Sequence, residues 1–246
     1  MAPFDTNLSK ALEGLYAAFA PYPEPIKLEG SSYENVTGMA RSLKAAPLRL
    51  LSDDQIGPYA GSALLTVGSV ADYKHYLPRI VELGVRGSEH MGAAAPIIAE
   101  RLKRAAWRKW PEREQLSLKA AFRAAWSWSA DQHPGCGASA EDWLCAIAAL
   151  GEPVEPVLRD WSTRSSNEAV LQAAWVAMTA RRLTSSSEDD LAYWNYVNPS
   201  VRKTVADWVT GDEQLEAFLR AVYAVPEDDR WYIEQALEAA GFGQRH

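Results

Sequence analysis

The stretch PEREQLSLKAAFRAAW, residues 111–126, decides the fold class. Leu118, Ala121, Phe122, Ala125 and Trp126 recur at steps of three, one, three and one, which lines them along one face of a helix. Pro111 suits the first helical position. Working outward, Leu8, Leu12, Leu15 and Phe19 follow the same rule, as do Leu171, Ala174, Trp175 and Met178. So do Leu215, Phe218, Leu219, Val222 and Tyr223, and then Ile233, Ala236, Leu237 and Ala240, with Pro226 opening that last helix and Gly241 ending it. No stretch of five or more residues alternates apolar and polar while rich in Val, Ile or Thr, and the Asn-Gly and Asp-Gly hairpin signals are missing. The chain reads as all-α.

Start signals divide it into roughly a dozen helices. Ser52 before Asp53 and Asp54, Ser69 before Val70, and Ser139 with Asp142 three residues on are N-cap patterns. Links such as Glu152-Pro153 and Gly211 are short, and short links force antiparallel hairpins. Asp142-Trp143 reappears as Asp160-Trp161 and Asp207-Trp208, without a fixed period. The expectation is an irregular HEAT-like stack of helical hairpins over residues 1–246, with a soft boundary near 130–139 and a compact helical bundle as the alternative. The ten tryptophans are expected to anchor the core.

The apolar share of 48% and charged share of 23% in 246 residues exclude a largely disordered chain. The longest apolar runs fall far short of the roughly 20 residues of a membrane span, and Met1 to Ser9 has no basic start leading into an apolar run. A cytoplasmic location without membrane contact is expected. Cys136 and Cys145 are too few for a disulfide scaffold or a four-thiolate zinc site, so no metal or cofactor is expected. The net charge of −7 is uneven: from Thr184 onward there are 12 acidic and 5 basic residues, against 20 and 20 before it. That imbalance disfavours nucleic acid and favours a basic protein partner.

Pro47-Leu48-Arg49-Leu50-Leu51-Ser52 is followed by Tyr59, by Gly68 and then by Asp72-Tyr73-Lys74-His75-Tyr76-Leu77-Pro78-Arg79-Ile80. This segment of about 40 residues resembles a family of uncharacterised all-helical bacterial proteins. The shared pattern is a glycine, an acidic and aromatic pair, and an aromatic-Leu-Pro-Arg run, here Gly68, Asp72, Tyr73, Tyr76, Leu77, Pro78 and Arg79. Relatives often carry a close cysteine pair just upstream, where this chain has Gly30-Ser31-Ser32-Tyr33. The family brings no established activity.

On a helix beginning after Ser69, Asp72, His75, Arg79 and Glu82 form a polar strip beside the apolar arc of Val70, Tyr73, Tyr76, Leu77, Ile80 and Val81. Asp72, His75 and Arg79 are the candidates for acid/base catalysis by a small hydrolase-type enzyme, because His75 titrates near neutrality and Asp72 could orient it. The competing reading is a solvated face laced by ion pairs. Pro78 removes a helix bond to the Lys74 carbonyl and predicts a kink. His133 and Cys136 share a glycine-flexed loop, which offers a Cys/His pair or an ordinary connection. Arg101 to Arg113 holds six basic residues interleaved with Trp107 and Trp110, either a solvated face or an anion site. Glu188, Asp189 and Asp190, with Tyr193, Trp194 and Tyr196, make the candidate binding patch, since three rings in four residues cannot all turn inward. Together these features predict a protein-binding helical module, of the immunity type that masks a basic effector, in preference to an enzyme or a self-assembling structural protein.

Overall fold

A computed structural model describes residues 3–137, 139–185 and 191–241. They form twelve α-helices and six short 3-10 turns, with two isolated bridges, Gly30 to Val67 and Ala63 to Val67, and no strand among the described residues. The chain divides into two compact units, Met1–Ala125 and Trp126–His246, so the division falls within a helix, upstream of residues 130–139. No helix is long and apolar enough to cross a membrane.

The first unit holds α1 (Thr6–Phe19), α2 (Val36–Leu43), α3 (Asp53–Ser62), α4 (Val70–Val85), α5 (Ala95–Arg104) and the start of α6 (Glu112–Ala130). Asp5 caps α1 by accepting from the Leu8 N–H at 2.7 Å, and the stripe Leu8, Leu12, Leu15 and Phe19 is buried. Both α3 and α4 begin with reciprocal capping boxes. At α4 the Ser69 hydroxyl accepts from the Asp72 N–H at 3.2 Å while Asp72 Oδ2 accepts from the Ser69 N–H at 2.7 Å. Gly68, just ahead, has φ +77°, and a Cβ there would stand 3.2 Å from the Tyr59 hydroxyl. Glycine alone fits that turn without strain. Helix α4 touches α1, α3 and α5 and buries Tyr73, Tyr76, Leu77, Ile80 and Val81. Burying a large apolar side chain is worth about 1.5–3 kcal/mol, so this face orders the unit.

The second unit comprises the end of α6, then α7 (Ala140–Ala149), α8 (Glu155–Ser162), α9 (Asn167–Leu183), α10 (Pro199–Val209), α11 (Asp212–Ala221) and α12 (Arg230–Ala239). Helix α9 touches α7, α10, α11 and α12. Its neighbours are therefore gathered around one central helix, a pattern closer to a bundle than to a solenoid whose repeats meet only adjacent ones. Trp126, Trp161 and Trp208 run through this unit as a chain of edge and tilted contacts, with ring centroids 5.6 and 5.2 Å apart. The Asp-Trp repeats are not structurally equivalent. Asp160 pairs with Arg164, Asp207 with Lys203, and the Asp142 N–H donates to the Ser139 cap.

Two details depart from the periodicity. Helix α11 buries Gln214, Phe218 and Ala221 and ends before Tyr223, which is 90% exposed because the chain has left the helix there. Pro226 opens a 3-10 turn, Glu227–Asp229, and α12 starts only after it, while Gly241 adopts the left-handed conformation that ends α12. Seven of the ten tryptophans are buried, and the exceptions are Trp208, half-buried, with Trp175 and Trp231, 38% and 44% exposed.

Candidate functional site

The polar strip on α4 is taken apart by its surroundings. Asp72 serves the N-cap. His75 directs Nδ1 at the Tyr22 carbonyl, 2.8 Å away, and because a carbonyl only accepts, that nitrogen carries the proton. Arg79 donates through Nε to the Leu51 carbonyl at 2.8 Å and pairs with Glu82 at 2.9 Å, and Glu82 also accepts from the Tyr16 hydroxyl at 2.8 Å. Burial, with Glu82 alongside, raises the Tyr16 hydroxyl pKa, so it remains a donor. The three candidate catalytic groups each answer to a different partner, and none of these bonds joins Asp72 to His75. Arg79→Ala should therefore cost about 2 kcal/mol, by leaving the Leu51 carbonyl unmet and the mostly buried Glu82 carboxylate with only the Tyr16 hydroxyl and the longer Arg86 pairing, against about 1 kcal/mol for His75→Ala. Thermal denaturation of the two variants checks this, and the opposite ranking would contradict it.

The same helix carries a feature that the strip concealed. Lys74 is buried, with Nζ 2.6 Å from Glu114 Oε2 and 2.8 Å from the Tyr22 hydroxyl, and 4.1 Å from the Trp110 ring centroid. Glu114 Oε1 accepts from the same Tyr22 hydroxyl at 2.7 Å. The cation, the carboxylate and two rings satisfy one another.

Two other stretches resolve into structure. In the basic stretch, Arg101 is buried, pairing with Glu100 and donating to the Gly61 carbonyl at 3.1 Å, and Arg104 pairs with Glu100 at 2.9 Å. Trp107 and Trp110 are buried and offer no stacking surface to a nucleic acid. In the loop, His133 Nε2 meets Asp229 Oδ1 at 2.8 Å and Nδ1 accepts from the Gly135 N–H at 3.0 Å. Both imidazole nitrogens are thus occupied, and the Cys136 thiol is exposed. Among the described residues no three His, Cys, Asp or Glu side chains gather where they could hold a metal ion.

The aromatic stretch leads to a cavity. Residues Ala192–Tyr196 form a 3-10 turn in which Trp194 is buried, Tyr193 half-buried and Tyr196 exposed. Glu188, Asp189 and Asp190 lie outside the described residues. Ala192 sits at φ +47°, a conformation a non-glycine residue rarely adopts. The Trp194 indole N–H donates to Glu141 Oε1 at 3.0 Å, and the Thr179 hydroxyl donates to the same oxygen at 3.1 Å. This turn, α7 and α9 line an open cavity of about 370 Å³ walled by Trp194, Tyr193 and Trp175, with Glu141, Asp142 and Arg182 on it. Burial pushes the Glu141 carboxyl up to about 7 and that of Asp142 up to about 6, and each exceeds the ordinary carboxylate range despite the bonds it accepts. In sequence Glu141 and Asp142 read only as first-turn acids behind a Ser139 cap, because their burial is decided by α9 and by residues some fifty positions away.

From the cavity wall the rings continue outward. The Trp175 and Tyr232 centroids are 6.0 Å apart, and Tyr232 stacks on Trp231 at 4.1 Å. Trp231, Glu234 and Glu238 occupy the exposed face of α12 at i, i+3 and i+7. No known protein family, curated protein or solved structure matches this chain.

Proposed function

We propose that the second unit is a binding module for a basic protein, and that the rings of Trp175, Tyr232 and Trp231 form its contact ledge. The carrying observation is that row of rings on an acidic surface. Exposed aromatic side chains in a cluster, rimmed by charge, are the composition of binding hot spots. Residues 191–241 carry nine acidic and four basic side chains. Of the four, Arg202 is buried, Lys203 and Arg220 pair along their own helices, and Arg230 donates to the Val222 carbonyl. The exposed carboxylates of Glu227, Asp228, Glu234 and Glu238 set the sign of the field that an approaching partner meets. Masking a basic effector, as immunity-type proteins do, is one instance of this reading. A hydrolase centred on His75 gains no support from the geometry, since its three groups are separately tied.

Fluorescence anisotropy with a labelled peptide of alternating lysine, arginine and apolar residues tests the proposal, with a glutamate-substituted peptide of equal length as control. The basic peptide should bind and weaken steeply with salt, and Trp231→Ala should cost about 2 kcal/mol or more of binding energy. Equal affinity for both peptides, or an unchanged affinity in a Trp175→Ala/Trp231→Ala protein, would contradict it.

A further inference from the structure

We infer that the aromatic-walled cavity between α7, α9 and residues 192–196 receives one lysine or arginine side chain of that basic partner. This inference rests on the binding-module reading above and adds to it a pocket and a rule of recognition. A cavity of about 370 Å³ is large enough for a single extended side chain. Its walls are of two kinds. Trp194, Tyr193 and Trp175 provide ring surface against which an alkyl stem can pack and a cation can rest, and Glu141 and Asp142 provide the counter-charge. The Glu141 carboxyl is already oriented, because Trp194 Nε1 and Thr179 Oγ1 both donate to its Oε1. An oriented acceptor beside ring surface is what a guanidinium or ammonium needs.

The electrostatics agree. Arg182 of α9 lines the same cavity, is exposed, and its charge favours the ionised form of Glu141, but it forms no ion pair with Glu141 or Asp142 among the described residues. The remaining titratable groups around the two carboxyls are Cys145 on α7, whose thiol burial holds neutral, and Tyr193 and Tyr196 on the 3-10 turn, with burial holding the Tyr193 hydroxyl protonated. Two carboxyls thus share the cavity with a single guanidinium that pairs with neither among the described residues, which leaves counter-charge for a second cation. Trp175 belongs at once to the cavity wall and to the exposed ledge, so a chain lying along Trp231 and Tyr232 is led to the opening. A cation that enters must be met by an ionised carboxylate, and burial, by pushing the Glu141 carboxyl up to about 7, leaves it partly protonated at neutral pH. Binding is then accompanied by release of a proton to solvent, and affinity rises with pH.

The test uses isothermal titration of the whole protein with N-acetyl-lysine methylamide and N-acetyl-arginine methylamide, and with N-acetyl-norleucine methylamide as the uncharged isostere. The charged probes should bind saturably and the isostere should not. Affinity should rise about tenfold or more between pH 5.5 and pH 7.5, and the heats in phosphate and in MES should differ in the sense of proton release. Glu141→Gln should lose about tenfold in affinity and flatten the pH profile, whereas Tyr33→Ala, an exposed ring of the first unit, should leave the probes unaffected. No saturable binding, equal binding of the isostere, or an unaltered Glu141→Gln protein would overturn the inference while leaving the ledge to be judged by its own peptide test. Probes that bind while the basic peptide docks to Glu141→Gln as tightly as to the native protein would assign the cavity to a free amine and overturn the side-chain assignment.

Discussion

Glu114→Ala should cost the protein about 3–5 kcal/mol, the largest loss expected from any single polar side chain here. Lys74 and Glu114 are each about 7% exposed at the side chain and 2.6 Å apart. Truncating Glu114 strands an ammonium whose remaining neighbours are the Tyr22 hydroxyl and the faces of Tyr22 and Trp110. Ring faces attract a cation by about 1–2 kcal/mol, well below the cost of dehydrating it. Lys74→Met should be similarly damaging, because the carboxylate then keeps only the Tyr22 donor. The double variant Lys74→Met/Glu114→Leu removes both charges together and should lie within about 2 kcal/mol of the native protein. Urea unfolding of the three variants reads this directly. Single variants that lose less than about 1 kcal/mol would show that the pair is not buried in solution.

Glu141→Gln should behave in the opposite way and stabilise the protein at neutral and alkaline pH. The carboxyl's folded pKa, about 7, stands above its ordinary value of 4.5. The folded chain therefore binds this proton more tightly than the unfolded one. The contribution is fully present below about pH 4.5 and is lost as pH rises through 7, so ionisation of Glu141 works against folding above that window. The amide stays neutral, and its carbonyl can still accept from Trp194 and Thr179. At pH 8 the variant should gain about 2–3 kcal/mol, with no gain at pH 4. Calorimetry at pH 4, 6 and 8 checks it, and a variant equally stabilised or destabilised at all three values would contradict the burial of this group. On the proposed binding reading, a cation in the cavity would offset that cost.

The fold was legible where one helix face decides everything. The stripe from Leu8 to Phe19, the boxes at Ser52 and Ser69 and the stop at Gly241 follow from spacing and local capping, which operate within a few residues. The site was not legible in the same way, because its parts meet by tertiary packing. Lys74 lies beside Tyr73 and three residues before Leu77, close enough to the apolar arc to be carried inward, yet only Tyr22, Trp110 and Glu114 on distant stretches make that burial tolerable. Of the three rings around residue 194, divergence at 100° per residue required one to face solvent but did not say which. The structure turns Trp194 in toward Glu141 and leaves Tyr196 out. Trp175 read as core because it shares a stripe with Leu171 and Ala174, whereas on the folded α9 it lies at the edge of that stripe, beside Tyr232.

The claim that this protein binds a basic partner through the ledge is tested most directly by indole N–H resonances in a 15N-labelled sample titrated with the lysine- and arginine-containing peptide. The signals of Trp175 and Trp231, assigned through their alanine variants, should shift together and saturate at one common affinity, with Trp194 following as the cavity fills. Shifts confined to Trp107 and Trp110 of the first unit, or a ledge whose two indole signals stay still at peptide saturation, would contradict the account.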